Sequence, residues 1–202
     1  MREFYEDVWE QLPEALDPYA LERRRAFLLP RVAAGERVLD LGCGDGVLTA
    51  ALAGAGADPV GAEIAEGALR RARERHPGPR YELVPPHGPL PFADHAFDVV
   101  WASEVIEHVA DTERWLGEVR RVLRRGGRLL LTTPYHGRVK NLAIAATRFE
   151  AHADPRGQHL RFYTRRSLRE VLDAFGFEAI ELRTAGGPPL LRETLLAAAR
   201  LP

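Results

Sequence analysis

The 202-residue sequence is short of several things, and each shortage excludes a class of protein. It has one cysteine, Cys43. A single thiol closes no internal disulfide and builds no thiolate cluster, so a disulfide scaffold and a zinc ribbon are both excluded. No apolar run approaches the ~20 residues that a membrane-spanning helix needs. Charge of one sign is missing too: 28 Lys plus Arg stand against 29 Asp plus Glu, a formal net charge of -1. A DNA or RNA binder usually carries a basic excess, so this balance weighs against nucleic acid as a general partner. Met1 to Asp7 include no apolar leader core, from which a cytoplasmic location is expected. Lysine, asparagine and methionine occur only at Lys140, Asn141 and Met1. Scarcity of Asn, Met and Cys fits a thermophilic origin, although a GC-rich bacterial genome gives the same bias.

What is present suffices for one packed domain over residues 1–202, with 46% hydrophobic and 28% charged residues. Over the first 150 residues, short apolar strands alternate with helical stretches, the rhythm of βαβ units around a parallel sheet. Strands are expected at Arg37–Leu41, Pro59–Ala62, Tyr81–Val84, Phe97–Trp101 and Arg128–Thr133. Helices are expected at Val47–Ala55, Glu66–Arg75 and Thr112–Arg124, the last carrying Trp115, Leu116, Val119, Val122 and Leu123 on one face. The rhythm then breaks. Residues 134–163 form a long His/Arg-rich connection with one short helix near Leu142–Phe149, and connections of this length inside a domain are usually functional. Thr164 reads as the N-cap of a helix through Phe175, Gly176 as its stop, and Phe177–Arg183 as a further strand. The first 30 residues read as helical, broken at Pro13 and Pro18. After Gly186-Gly187-Pro188-Pro189, the apolar tail 190–202 reads as a helix.

The sharpest local signal is Val38-Leu39-Asp40-Leu41-Gly42-Cys43-Gly44-Asp45-Gly46, a buried strand entering a turn with glycine at alternate positions. A dinucleotide fingerprint needs a third glycine where Val47 stands. That fingerprint also presents a helix N-terminus to a pyrophosphate, whereas Asp40 and Asp45 would repel one. The turn therefore suits a ligand that is neutral or cationic here, such as one with an ammonium and a sulfonium. Glu63 ends the second strand 23 positions after Asp40, the placement of an acid that accepts from the vicinal hydroxyls of a ribose.

Asp40 to Gly46 resemble the glycine-rich motif of the class I S-adenosylmethionine-dependent methyltransferases. The resemblance extends over roughly residues 36–183 and implies a Rossmann-like α/β fold, a mostly parallel central sheet flanked by helices. It implies S-adenosylmethionine as cofactor and S-adenosylhomocysteine as product, with Gly42, Cys43, Gly44, Asp45 and Gly46 wrapping the methionine part. Asp40 would face the amino group, Glu63 the ribose and Ile64 the adenine. Val84 to Phe92 match a third region of the family, but Pro86 and His87 replace the Asp-Ala that holds the adenine amino group, leaving that contact to their backbone. Ser103-Glu104-Val105-Ile106-Glu107-His108 resembles the segment of small-molecule, quinone-biosynthesis-type methyltransferases. It implies that Ser103 and Glu104 touch the cofactor and makes His108 a candidate base for a substrate hydroxyl. Thr133-Pro134-Tyr135 resembles the Pro-Pro-Tyr motif of nucleic-acid amino-methylating enzymes, but follows the fifth strand rather than the fourth.

The family builds its acceptor site where residues 134–163 lie. His136, Arg138, Lys140, Arg148, His152, Arg156, His159, Arg161 and Tyr163 there suggest a basic lining for an anionic small molecule. His136, His152 and His159 lack i,i+4 spacing and methyl transfer needs no metal, so no metal site is expected. Phe4, Tyr5 and Trp9 share a face of the N-terminal segment 1–30, which would form a lid with Tyr5 against the cofactor. The family's sheet ends in an antiparallel hairpin. A helical tail would leave its final strand missing and free the tail for a homodimer contact. Two rivals stand beside small-molecule methyl transfer: a nicotinamide oxidoreductase, and a cofactor-binding domain without catalysis. An RNA or protein acceptor is a variant within the enzyme reading.

Overall fold

The structure is a computed structural model that describes residues 6, 7, 9, 18–86, 88–154 and 157–202. Seven strands form one sheet in the order β3-β2-β1-β4-β5-β7-β6. They are β1 (Arg37–Leu41), β2 (Asp58–Glu63), β3 (Arg80–Leu83), β4 (Phe97–Ser103), β5 (Leu123–Pro134), β6 (Glu178–Ala185) and β7 (Thr194–Arg200). β1 to β5 are parallel, and β7 runs antiparallel between β5 and β6. The helices are α1 (Pro18–Leu28), α2 (Val47–Gly54), α3 (Glu66–Arg75), α4 (Thr112–Val122), α5 (Arg138–Thr147), α6 (Phe149–His152) and α7 (Arg165–Ala174).

The central strands are apolar on both faces, as a parallel sheet covered twice requires. Their alternation sorts the core into two layers. Val38, Val99, Trp101, Leu130, Leu196 and Ala198 face α1 and α2, where Phe27, Leu28, Leu48 and Leu52 cover them. Leu39, Leu41, Val100, Ala102, Leu129, Leu131, Leu195 and Ala197 face α4 and α7, covered by Leu116, Val119, Leu168 and Leu172. Thr164 caps α7 reciprocally with Ser167, and Gly176 follows the helix at φ 75°, as the sequence pattern anticipates.

One element is corrected. The tail read as a helix is strand β7, so the family's antiparallel finish is complete rather than missing. Leu195 to Ala199 are good helix formers taken singly. The apolar run is only strand length, however, and it is hydrogen-bonded on both edges and buried on both faces. Pairing overrides propensity. A strand inside the sheet has no spare face, which removes the ground for a dimer through a free helical tail. A smaller shift ends α4 at Val122, because Leu123 already pairs with Phe97 in the sheet.

β1 and β4 are neighbours whose following connections diverge to opposite sides of the sheet, which opens a crevice at their carboxyl ends. Residues 134–163 form an excursion on the same edge. Its ends are pinned by a bridge between Tyr135 and Tyr163, with the His136 N–H donating to the Tyr163 carbonyl at 2.9 Å. It holds two short helices, α5 and α6, where one was expected. No helix among the described residues is long and apolar enough to cross a membrane.

Candidate functional site

A cavity of about 350 Å³ occupies the crevice between β1 and β4, within the usual size of small-ligand sites. Its floor is the turn after β1. The N–H groups of Gly42 and Cys43 both donate to the Ala62 carbonyl, at 2.7 and 3.1 Å, and tie this turn to β2. Gly42 (φ 82°) and Gly44 (φ 54°) lie in the left-handed region that side chains rarely adopt. A Cβ on Gly42 would meet Val105 at 2.5 Å, and one on Gly44 would meet the Trp9 ring at 2.7 Å. Bare backbone therefore faces the cavity because nothing larger than hydrogen fits. Gly46 lies outside the lining; it starts α2 from below, against Tyr81 and Ala72.

Asp40 and Glu63 are buried acids on adjacent strands, and both reach the cavity. Burial pushes the Asp40 carboxyl up to about 7; a hydrogen bond from Thr49 (2.6 Å) works against the shift and the Glu63 charge adds to it. Glu63 is raised by burial as well, opposed by three backbone N–H donors. Ile64 and Ala65 donate to its Oε1 at 2.7 and 3.2 Å, and Gly44 donates to its Oε2 at 3.1 Å. The carboxylate is thus fixed in place by backbone that belongs to the same turn. Burial and the two acids also raise the Cys43 thiol, which is therefore held as the neutral thiol. Asp45 lines the cavity but is paired with Arg75 of α3 at 3.2 Å. That partner was not visible from the sequence, and it offsets one of the two charges on which the argument against a pyrophosphate relied.

Ser103, Glu104, Ile64 and Pro86 also line the cavity. Glu104 holds φ 55°, a strained conformation for a residue with a side chain. It is kept there by its N–H to the Thr132 carbonyl (2.9 Å) and by the Thr132 hydroxyl, which donates to its Oε1 at 2.7 Å. Ser103 and Thr132 share a hydroxyl hydrogen bond at 3.0 Å. Pro86 has no N–H and offers a ligand only its carbonyl. His87 and Tyr5, both expected to touch the cofactor, lie outside the described residues. Of the N-terminal aromatic residues, Trp9 is the one described against the glycine turn. Glu6 belongs to the same segment and accepts from the N–H groups of Glu66 and Gly67, at 2.6 and 2.8 Å, at the start of α3.

The far wall differs from expectation. Among the described residues, Gln158 is the only member of the 134–163 excursion in the lining. The arginines that face the cavity are Arg24 of α1 and Arg114 of α4, beside Trp115. Arg161 instead binds the Thr112 hydroxyl (2.7 Å) and the Ala110 carbonyl (2.6 Å), and Lys140 binds the Tyr135 carbonyl (3.0 Å). These side chains brace the loop and are not part of this cavity's lining. His108 does line it. Its Nδ1 donates to the Gln158 carbonyl at 2.9 Å, and burial lowers its pKa, which favours the neutral ring. The three loop histidines do not gather. His136 stacks near His152 and Phe162, ring centroids 5.3 and 4.7 Å away, while His159 pairs with His108 at 5.0 Å.

The comparisons agree with this architecture. A protein family described as "Methyltransferase domain" matches residues 8–182. A ubiquinone biosynthesis O-methyltransferase of Azorhizobium caulinodans is 35% identical over 171 residues, covering 81% of this chain and 67% of that protein. One from Dinoroseobacter shibae is 32% identical, covering 88% of this chain and 74% of that protein. Among solved structures, an S-adenosylmethionine-dependent methyltransferase of Mesorhizobium loti matches with a TM-score of 0.71 at 22% identity, over 89% of this chain and 96% of that one. A phosphoethanolamine N-methyltransferase of Haemonchus contortus, solved with S-adenosyl-L-methionine, matches with a TM-score of 0.72 at 19% identity, over 90% of this chain and 52% of that one. At such identities the structures speak for the fold alone. With the family match over most of the chain and relatives above 30% identity, the protein belongs to the class I S-adenosylmethionine-dependent methyltransferases.

Proposed function

We propose that this methyltransferase places the methyl group on an oxygen of a small aromatic acceptor of the quinone-precursor type. The observation that carries the proposal is the single cavity that joins the Asp40–Glu63 floor to a far wall of Trp115, Arg114 and His108. The ubiquinone-biosynthesis relatives support an aromatic hydroxyl as the acceptor.

The residues fit the cofactor. Gly42 and Gly44 leave room for its methionine part, and Asp40 presents a buried acid to a cationic group. A carboxylate has about four lone-pair sites, and three backbone N–H groups already occupy three on Glu63. The remaining one, on Oε2, accepts one ribose hydroxyl. This narrows the two-hydroxyl role expected from the sequence. Ile64 and the Val84–Pro86 segment form the wall against which an adenine packs, and Trp9 closes over the turn. When bound, S-adenosylmethionine supplies a methyl on a sulfonium, whose C–S electron pair stays on sulfur after transfer.

The chain's own work is to align the acceptor and exclude water. Trp115 gives an aromatic ring a face to stack on, and Arg114 meets an anionic substituent. His108, neutral and oriented by Gln158, stands where an acceptor hydroxyl must lose its proton. The test is incubation with methyl-tritiated cofactor and a panel of catechols, dihydroxybenzoates, primary amines and RNA. Label on a phenolic oxygen supports the proposal. Label confined to amines or RNA, or no transfer to any of them, overturns it.

A further inference from the structure

The loop against which the adenine packs has little of its own to hold it in place. Residues 84–92 include four prolines, Pro85, Pro86, Pro89 and Pro91. Proline offers no N–H, so the loop has few donors with which to tie itself together and must be held from outside. At its start the Val84 N–H donates to the Glu63 carbonyl at 2.9 Å. At its other end the anchor is a side chain of α4. The Arg121 Nη1 donates to the Phe92 carbonyl (2.7 Å) and to the Asp94 carboxylate (2.8 Å). Its Nη2 donates to the Leu90 carbonyl (2.9 Å) and to Glu118 Oε2 (2.7 Å), and its Nε to Glu118 Oε1 (2.9 Å). A guanidinium has five N–H groups, and each has its acceptor. Glu118, one turn earlier in α4, accepts from the Leu90 N–H at 2.6 Å. The two side chains thus hold both backbone groups of Leu90. Leu90 and Glu118 line the cavity with Pro85, Pro86 and Gly88.

We propose that Arg121, with Glu118, is the positioning pair that sets the base specificity of the cofactor site, by fixing the loop whose Pro86 carbonyl accepts from the adenine amino group. The inference rests on the adenine wall proposed above and is independent of the acceptor. Where the family has an acid facing that amino group, this chain has Pro86, in the cavity lining. A carboxylate on a side chain can turn to follow its ligand. A backbone carbonyl cannot, so its aim is only as good as the placement of the loop that carries it. Arg121 and Glu118 are suited to that task. Their mutual hydrogen bonds lower the Glu118 carboxyl and raise the guanidinium, so both stay charged. Both are largely shielded from water, whereas Asp94 is exposed and its bond contributes little. Arg124, close by in the chain, pairs with Asp98 of β4 instead, and so anchors a strand rather than the loop.

The test is calorimetric titration of S-adenosylhomocysteine and of S-inosylhomocysteine, whose base has a 6-oxo group in place of the amine. Both go into the wild type, Arg121→Ala, Arg121→Lys and Arg124→Ala. A carbonyl opposite an oxo group loses its donor and meets a second acceptor, so the wild type should prefer adenine by ~10-fold or more. Arg121→Ala should shrink that preference to ~2–3-fold. Arg121→Lys keeps the charge without the fork and should recover only part of it; it reads the same ratio if the alanine variant fails to fold. Arg124→Ala should lower the thermal midpoint and leave the preference as in the wild type. A full preference in both Arg121 variants, or an equal loss in Arg124→Ala, would overturn the positioning role and leave the adenine wall standing. A wild type that binds the two ligands equally would instead remove the Pro86 carbonyl from the amino group, and the proposal with it.

Discussion

At one end of the cavity, Asp40, Glu63 and the Gly42–Gly46 turn stand on the ends of two adjacent parallel strands, and backbone amides hold them. At the other end, His108, Arg114 and Gln158 come from a short 3₁₀ turn, the start of α4 and a point fifty residues further along the chain. Side-chain bonds from Arg161 and His108 draw these pieces together. The turn end is a product of local chain geometry in the sheet. The loop end depends on a few long-range bonds, most of them partly exposed. A site built in this way keeps one ligand fixed while the other wall is free to vary, because changes in residues 134–163 leave the strand ends where they are.

The largest effect that separates the two ends should come from Glu63→Ala. It removes the acceptor of three backbone N–H groups as well as the proposed ribose contact. Leaving buried donors unmet costs about 1–3 kcal/mol, so S-adenosylhomocysteine should bind ~10–100-fold more weakly by calorimetry. The acceptor KM at saturating cofactor should hold. An acceptor KM that moves as far as the cofactor affinity would mean that the two ends are not independent.

The same contrast explains what could be read in advance. The shared placement of Asp40, Gly42, Gly44 and Glu63 at one cavity was legible because strand, turn and strand follow closely in the chain. The Arg75–Asp45 pair was not, since the C-terminal end of α3 returns to the turn only in three dimensions. Arg161 and Lys140 read as a basic lining, but Arg161 found the Thr112 hydroxyl and the Ala110 carbonyl at the start of α4, and Lys140 the Tyr135 carbonyl of its own loop. Trp115 read as a core residue, and its periodicity does place it on the apolar face; that it sits at the cavity rim is a fact of helix position. The tail misled in another way. Leu and Ala favour helices locally, and only the open edge of β5 makes a strand of Leu195–Ala199.

Next in size is a pH effect confined to the turn end. Asp40 titrates near 7 in the folded chain against 3.8 without the fold. The folded state therefore holds an extra proton between those values. The stability this gives is complete below about 4 and lost as pH rises through 7. A cationic cofactor prefers the ionised form, so its affinity should rise up to ~10-fold per pH unit below 7 and level off above. Asp40→Asn should flatten that slope. A wild-type affinity that does not change between pH 5.5 and 7.5 would remove Asp40 from the ammonium.

Trp9→Ala tests whether the turn end also depends on the distant N-terminal segment. The ring lies on Gly44 and is half-buried, so its loss should cost about 1 kcal/mol of cofactor binding, near 5-fold. The thermal midpoint without ligand should hardly move. A large drop in that midpoint would make Trp9 part of the core rather than a cover.

The smallest expected effect probes the loop end on its own. Arg161 joins the returning loop to the start of α4 through the Thr112 hydroxyl and the Ala110 carbonyl. Because the side chain is exposed, each bond contributes little to global stability, about 0.5–1 kcal/mol. Removing it should loosen the placement of Gln158 and His159 over His108 without unfolding anything. Arg161→Ala should therefore raise the acceptor KM ~2–5-fold, leave cofactor affinity as it was and leave kcat within a factor of two. Arg161→Lys keeps the charge but not the fork that reaches both partners, so it should recover only part of the loss. If the alanine variant changed cofactor affinity and left the acceptor KM alone, the loop would be bracing the turn end instead, and the division between the two ends would be drawn in the wrong place.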